Sequence, residues 1–276
     1  MKSLWIVAIK EIQEGLRNRW VLATTLLLLA LSLTLSFLGS APTGNVGVRA
    51  LDVVIVSLSS LSIFLLPLIA LLISYDAIVG EVDRGTMLLL LSYPVARWQV
   101  LLGKFCGHVA ILAFATILGY GATAVALAAT STPIEADSLF AFARLIGSSI
   151  LLGAVFVAIG YLISAKVQDR GTAGGIAIGM WLLLVLLYDM AILGALVVDQ
   201  GRTLSAGMLN LLLLLNPTDV YRMFNLAGSA GVSALSGMAG IAEMQTMPAP
   251  ALLGMLAAWT LVPLAGAVLI FSRREL

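Results

Sequence analysis

The 276-residue sequence is poor in the groups that do chemistry: it has one cysteine, one histidine, and charge on only 11% of its residues. A single thiol, Cys106, excludes an internal disulfide framework and a multi-thiolate metal site, and it is expected to be a small core residue at the start of the third apolar helix. A single imidazole, His108, leaves a histidine triad or a histidine-based metal site without its parts; near the inner end of that helix it reads as a hydrogen-bonded packing residue. There is no Gly-x4-Gly-Lys-Ser/Thr loop to cradle nucleotide phosphates and no dinucleotide glycine fingerprint, so no cofactor is expected in this chain. The net charge of +1 identifies no partner, and none of nucleic acid is expected.

What the sequence has is apolar length. It is 61% hydrophobic, a balance that no soluble domain of this size hides in one core. Crossing about 30 Å of hydrocarbon takes roughly 20 apolar residues in a helix. Six stretches meet that length, at 20–38, 53–75, 105–129, 145–164, 171–198 and 249–272. Backbone amides in lipid must be satisfied within their own segment, so these read as helices and the fold class is all-α. The first run is long enough to span and ends without a small-x-small cleavage site, so it is expected to stay in place rather than act as a removed leader.

Positive charge orients the spans. With both termini in the cytoplasm, eleven of the fifteen Lys and Arg residues fall inside, and only Arg49, Arg144, Arg202 and Arg222 fall outside. The opposite topology inverts this ratio. Residues 1–19 form a separate element, with Trp5, Ile9, Ile12 and Leu16 on one helical face and Lys2, Glu11, Glu14 and Arg17 on others. They read as an interfacial helix lying on membrane lipid ahead of a permease-like domain at 20–276. The outside loops at 39–52 and 130–139 are too short for a binding domain. The region 199–246 is the most irregular: its apolar run 203–215 is too short to span, ends at Asn216-Pro217, and predicts a half-inserted helix followed by a mobile loop at 226–240.

The largest inside surface lies at 77–104. There Gly80-Glu81-Val82-Asp83-Arg84-Gly85-Thr86 is followed by Leu90-Leu91-Ser92-Tyr93-Pro94-Val95-Ala96-Arg97 and by Leu102-Gly103-Lys104. This ordered pattern resembles the cytoplasmic signature of the ABC-2 family of transporter permeases, in which a Glu, a Gly-Thr pair, a Leu-Leu-Ser-x-Pro-x-x-Arg run and a Gly-Lys occur in that order. The resemblance implies that Glu81, Arg84, Gly85, Thr86, Pro94, Arg97 and Lys104 belong to a coupling helix docked into a separate ATPase subunit, which carries the ATP and magnesium. Physical reasoning supports a short rigid lever there, with Thr86 as N-cap and Pro94 as stop. The second inside loop, with Gln168, Asp169 and Arg170, reads equally as a second contact on the same partner or as a positive-inside anchor.

Gly171, Gly175 and Gly179 share one face of the fifth helix, and small residues at this spacing let helix backbones approach. The contact is either within one chain or across a homodimer; the family resemblance favours a second copy of the chain. Among charges near the spans, Asp189 reads as a buried pair with Arg144 or a contact for a periplasmic partner, and Asp219 and Arg222, three apart, as a pair with each other. The ten methionines show no repeated ligand spacing, so no metal site is expected.

A narrower likeness is carried by Trp5 to Glu11, Gly15 to Trp20, Pro67 to Glu81, Asn216 to Asp219 and Arg273 to Leu276. These resemble the permeases of the systems that mature the copper sites of nitrous oxide reductase. That resemblance implies a bacterial inner-membrane dimer joined to two cytoplasmic ATPase copies and one periplasmic β-helical copper-handling protein. The competing expectation is an exporter of a lipid, drug or sulfur-containing solute on the same fold.

Overall fold

A computed structural model describes residues 2–17, 19–39, 50–130, 136–199, 205–226 and 247–274. Over these residues the chain is helical throughout, with no strand. The loops at 40–49 and 131–135, the segment at 227–246, Arg49 and Arg202 lie outside the described residues, and with them most of the expected mobile loop.

The long helices fall where the apolar runs do: α1 (Lys2–Leu16), α2 (Arg19–Gly39), α3 (Ala50–Ser74), α6 (Arg97–Thr130), α7 (Ala136–Lys166) and α12 (Ala249–Arg273). Two short helices, α4 (Val79–Asp83) and α5 (Thr86–Leu91), form an elbow between α3 and α6. The fifth apolar run is α8 (Arg170–Leu182), a π-helical turn (Leu183–Leu187) and α9 (Tyr188–Asp199). The short apolar run at 203–215 carries α10 (Ala206–Leu214), and the chain restarts at Pro217 as α11 (Pro217–Leu226). Five helices are long and apolar enough to cross a membrane on their own, and a sixth span is counted if α1 and α2, bent by 68° at their junction, are taken together.

At the centre is α7, packed against α3, α6, α8, α11 and α12. Apolar surface in lipid gains little from burial, so the helices hold by close packing and internal hydrogen bonds. Close packing shows at Gly160, where a Cβ would stand 1.9 Å from Ser74 Oγ, and at Gly153, where it would stand 1.8 Å from Leu112. Buried hydroxyls bond mostly to carbonyls of their own helix, as Ser62 does to Leu58 O at 2.8 Å and Ser74 to Ala70 O at 2.6 Å. A hydroxyl chain crosses the bundle interior: Ser62 meets Tyr120 OH at 2.6 Å and Ser149 Oγ at 3.4 Å, and Ser149 meets Tyr221 OH at 2.8 Å.

The 34 residues of α6 rise about 51 Å, well beyond the hydrocarbon thickness, and its first turns precede the apolar run at 105–129 on the side of the elbow. Against this extension lies α1. A Cβ on Gly103 would come within 2.8 Å of Leu4 O, and one on Gly107 within 2.6 Å of Glu11 Cβ, so two glycines four apart make the groove that seats α1. Val7, Ala8 and Glu11 are therefore buried while Trp5, Ile6 and Ile9 face outward. The outer face of α1 is apolar, but Glu11, expected on a polar face, is turned into the protein. Cys106 is exposed rather than a core residue, because the buried face of α6 at this level is occupied by Gly103, Lys104 and Gly107.

Candidate functional site: an elbow braced from three sides

Gly85 adopts φ 72°, a left-handed conformation favouring glycine, and lets the chain reverse between α4 and α5 with nothing within 4 Å of where a Cβ would be. Gly85, not Thr86, is the N-cap of α5; Thr86 is its first helical residue, and its hydroxyl donates back to Glu81 O at 3.2 Å. Helix α5 ends at Leu91, three residues ahead of Pro94. Leu88, Leu89 and Tyr93 are exposed at 60%, 69% and 68%, although they sit on a short charged connection and not on a span. A groove of about 230 Å³ runs beside them, lined by Lys10, Glu81, Thr86, Leu89, Leu90 and Tyr93, and so is shared between α1 and the elbow.

The first brace comes from α7. Ser164 Oγ accepts from the backbone N–H groups of Ile78 and Val79, both at 3.0 Å, and so satisfies the start of α4, which has no side-chain cap of its own. The second comes from the loop between α7 and α8. Arg170 makes a two-pronged bond to Asp76, Nε to Oδ1 at 2.7 Å and Nη2 to Oδ2 at 2.6 Å, and Arg84 approaches the same carboxylate at 3.7 Å. Gly80 is required beneath this carboxylate, since a Cβ there would stand 1.9 Å from Asp76 Oδ1. Asp169 is spent on capping α8: its Oδ1 accepts from Thr172 N at 2.7 Å, and that backbone bond holds its carboxyl below the usual range. Gln168 is exposed beside it.

The third brace is a buried ion cluster. Lys104 Nζ, on α6, lies 2.6 Å from Glu11 Oε1 on α1 and 2.7 Å from Glu81 Oε1 on α4. Burial by itself would raise the Glu11 carboxyl, but Lys104, with smaller help from His108 and Lys10, holds it below its ordinary 4.5. His108 Nε2 is 3.9 Å from Glu11 Oε2, and its Nδ1 hydrogen-bonds Tyr161 OH at 2.7 Å, the packing role expected of it. Glu81 Oε2 is buried without a hydrogen-bond partner, next to the groove.

The seven elbow residues read from the sequence thus separate into two sets. Arg84, Gly85, Thr86 and Pro94 are on the outer surface. Glu81 and Lys104 are turned inward, and Arg97 reaches the end of α12, where Nη1 donates to Phe271 O, Ser272 O and Arg274 O at 3.4, 3.3 and 2.5 Å. Arg274 in turn donates to Ser164 O and Ala165 O at 3.4 and 3.2 Å, capping α7. Sequence reasoning passed over Asp76, Glu11 and Ser164 as site residues; a Glu on a helix otherwise facing lipid was the one available signal.

Among the described residues the glycine stripe of the fifth span has few neighbours: Gly175 and Gly179 have no atom within 4 Å of a Cβ position, and Gly171 only Asp169 Oδ1 at 3.4 Å. Gly174, off the stripe, packs against the Tyr75 ring at 3.5 Å. At the opposite end of the bundle Arg222 bonds both Asp219, at 2.5 Å, and Asp189, at 2.6 Å. The expected Asp219–Arg222 pair is therefore present, while the expected Asp189–Arg144 pair is not: Arg144 donates to Phe224 O and lies over the Phe224 ring, 4.7 Å from its centroid. Among the described residues no group of three or more His, Cys, Asp or Glu side chains is placed to hold a metal ion.

Comparison with known proteins agrees with this architecture. Residues 5–276 match the family described as ABC-2 family transporter protein. The chain is 47% identical over 277 residues to the "Probable ABC transporter permease protein NosY" of Pseudomonas aeruginosa, covering 100% of both chains. It is 46% identical over 276 residues to the protein of the same description from Stutzerimonas stutzeri, covering 99% of both.

Proposed function

Since this chain belongs to the ABC-2 transporter family and is a multi-pass permease subunit, we propose that its elbow takes up the motion of a separate ATPase subunit and passes it to the membrane-spanning helices. The observation that carries this reading is the elbow itself. It offers Leu88, Leu89 and Tyr93 as an apolar docking face, yet it is fixed to α1, α6, α7 and α8 by buried or two-pronged bonds. A partner that pushes on Leu89 therefore displaces α3, α6 and α1 together, which is the rocking of packed elements that switching transitions use. The elbow faces the cytoplasm in this reading, consistent with the excess of Lys and Arg at that end.

The ATPase supplies ATP and magnesium, and two ATPase copies serve a dimer of this chain in the bacterial inner membrane. The open glycine face of α8 supports a second copy as the occupant, because Gly175 and Gly179 meet no side chain among the described residues. The full-length likeness to two NosY permeases supports a role in copper-site maturation of nitrous oxide reductase, exercised through a periplasmic β-helical copper-handling protein. An exporter of a lipid, drug or sulfur-containing solute is the alternative on the same fold.

The test is reconstitution of this chain with its ATPase in lipid nanodiscs. ATP hydrolysis is expected to respond to the permease and to lose that response in Leu89→Asp. Hydrolysis indifferent to the permease, or coupling unchanged by Leu89→Asp, overturns the reading.

A further inference from the structure

Past the π-helical turn the fifth span rests on one small apolar patch shared with α10 and α11. Its first part, α8, leans on α3: Trp181 Nε1 donates to Phe64 O at 3.0 Å, and Gly174 admits the Tyr75 ring. The second part, α9, leaves Met190, Val197 and Val198 exposed, and Ile192 is its buried apolar residue, meeting Leu209 and Leu213 of α10. Half-buried Tyr188 and Leu196 join this patch with Leu212 and Met223, Tyr188 OH donates to Leu212 O at 2.6 Å, and a set of polar bonds ties the same part to α11.

A π turn pairs its backbone groups five residues apart, which leaves a carbonyl open to outside donors. Leu184 O is such an acceptor, taking Asn216 Nδ2 at 2.8 Å and Thr218 Oγ1 at 3.3 Å, from two residues that are fully buried at the start of α11. Asn216 Nδ2 also donates to Asp219 Oδ2 at 3.0 Å. Arg222 then closes the arrangement, with Nη1 on Asp219 Oδ1 of its own helix and Nη2 on Asp189 Oδ2 of α9. The other oxygen of Asp189 is buried and accepts nothing, so this carboxylate depends on Arg222. The opposite face of α11 is fastened to α7, through Tyr221 on Ser149 at 2.8 Å and Ser148 on Asn225 at 3.0 Å. One ten-residue helix is thus bonded to the central helix on one side and to the fifth span on the other.

We propose that Arg222 is the pin of a polar latch that makes α9 and α11 one mechanical unit, so that displacement of α7 reaches the far end of the fifth span through α11. The direction of that motion rests on the permease function proposed above; the latch rests on the bonds alone. Arg222 is a positioning residue, acting through Asp189 on the placement of α9. Two carboxylates share one guanidinium here, so the neutralising charge has no substitute at the cluster.

The test uses the permease–ATPase complex in nanodiscs with Cys106→Ser and spin labels at Val197→Cys on α9 and Leu215→Cys, the exposed position directly ahead of Asn216 and α11. One narrow distance is expected with intact Arg222, at least twofold broader in Asp189→Asn and in Arg222→Gln. A distribution as narrow as the parent in Asp189→Asn, whose shape matches Asp and which serves alone if Arg222→Gln does not assemble, overturns the latch. A second label pair, Val125→Cys with Val197→Cys, reports nucleotide response. With ATP this distance is expected to shift while the Val197–Leu215 distance holds; a Val197–Leu215 distance that itself changes with ATP overturns the single mechanical unit. If ATP moves neither pair while Asp189→Asn still broadens the first, the latch stands and the proposed permease motion falls.

Discussion

Replacing Lys104 by methionine tests the elbow most directly. Its ammonium, 4% exposed, stands 2.6 and 2.7 Å from two carboxylates that are themselves 9% and 13% exposed. Methionine keeps the stem and removes the charge, leaving Glu11 and Glu81 facing each other across a site that excludes water. Removing one partner of a buried ion pair costs about 3–5 kcal/mol, because the remaining charge is left uncompensated. Two stranded carboxylates place Lys104→Met toward the upper end of that range. At roughly 2–4 °C per kcal/mol for a domain of 150–250 residues, that upper end lowers the melting temperature by roughly 10–20 °C. Replacing all three together, Glu11→Gln, Lys104→Met and Glu81→Gln, removes the stranded charges and is expected to recover most of the loss. The assay is thermal unfolding of the detergent-solubilised chain, followed by loss of the monodisperse elution peak after heating. A Lys104→Met variant that melts within about 2 °C of the parent, on the same scale, refutes the claim that the cluster is buried and mutually dependent.

Further outcomes follow from neighbouring geometry. Because Lys104 holds the Glu11 carboxyl below its ordinary 4.5, Glu11 contributes stability that is present above that pH and lost as pH falls through the lowered value. Melting should therefore decline more steeply below about pH 4.5 in the parent than in Glu11→Gln, read from melting curves taken across an acid series. Gly107→Val pushes on Glu11 Cβ, 2.6 Å from where a Cβ would be, and should lift α1 off α6; a cysteine at Val7 then becomes accessible to a water-soluble maleimide, and continued protection contradicts the groove. Gly80→Ala, whose Cβ would meet Asp76 Oδ1 at 1.9 Å, should break the Asp76–Arg170 bond and weaken ATPase coupling as much as Arg170→Gln does, measured as permease-dependent hydrolysis. Gly175→Leu should leave melting of the isolated chain unchanged, since nothing lies within 4 Å, but should reduce dimer formation in crosslinking.

Much of the fold was legible because it is set locally. Apolar run length located the spans, while the short helix of the elbow was read one residue late at its start, with Thr86 in place of Gly85 as the N-cap. The run at 203–215 was rightly read as too short to cross, since Asn216-Pro217 ends α10 and starts α11. The π turn had no local signature: Leu183 to Leu187 is an ordinary apolar stretch, and its irregular bonding is visible only where Asn216 and Thr218 take the Leu184 carbonyl.

By itself the sequence determined where helices start and stop and the family pattern of the elbow, because apolar length, turn residues and caps act over a few residues. Only the tertiary structure decided which charges are partners. Arg97 bonds the end of α12, a partner the sequence did not indicate, and Asp189 goes to Arg222 and not Arg144 because α11 folds back between the fifth span and α7. Such pairs join residues up to 177 positions apart, and which side chains meet depends on the rotation of each helix about its axis. That rotation is fixed by packing at positions such as Gly103, Gly107 and Gly160, where the absence of a side chain acquires meaning only when a neighbouring helix is seen to fill the space.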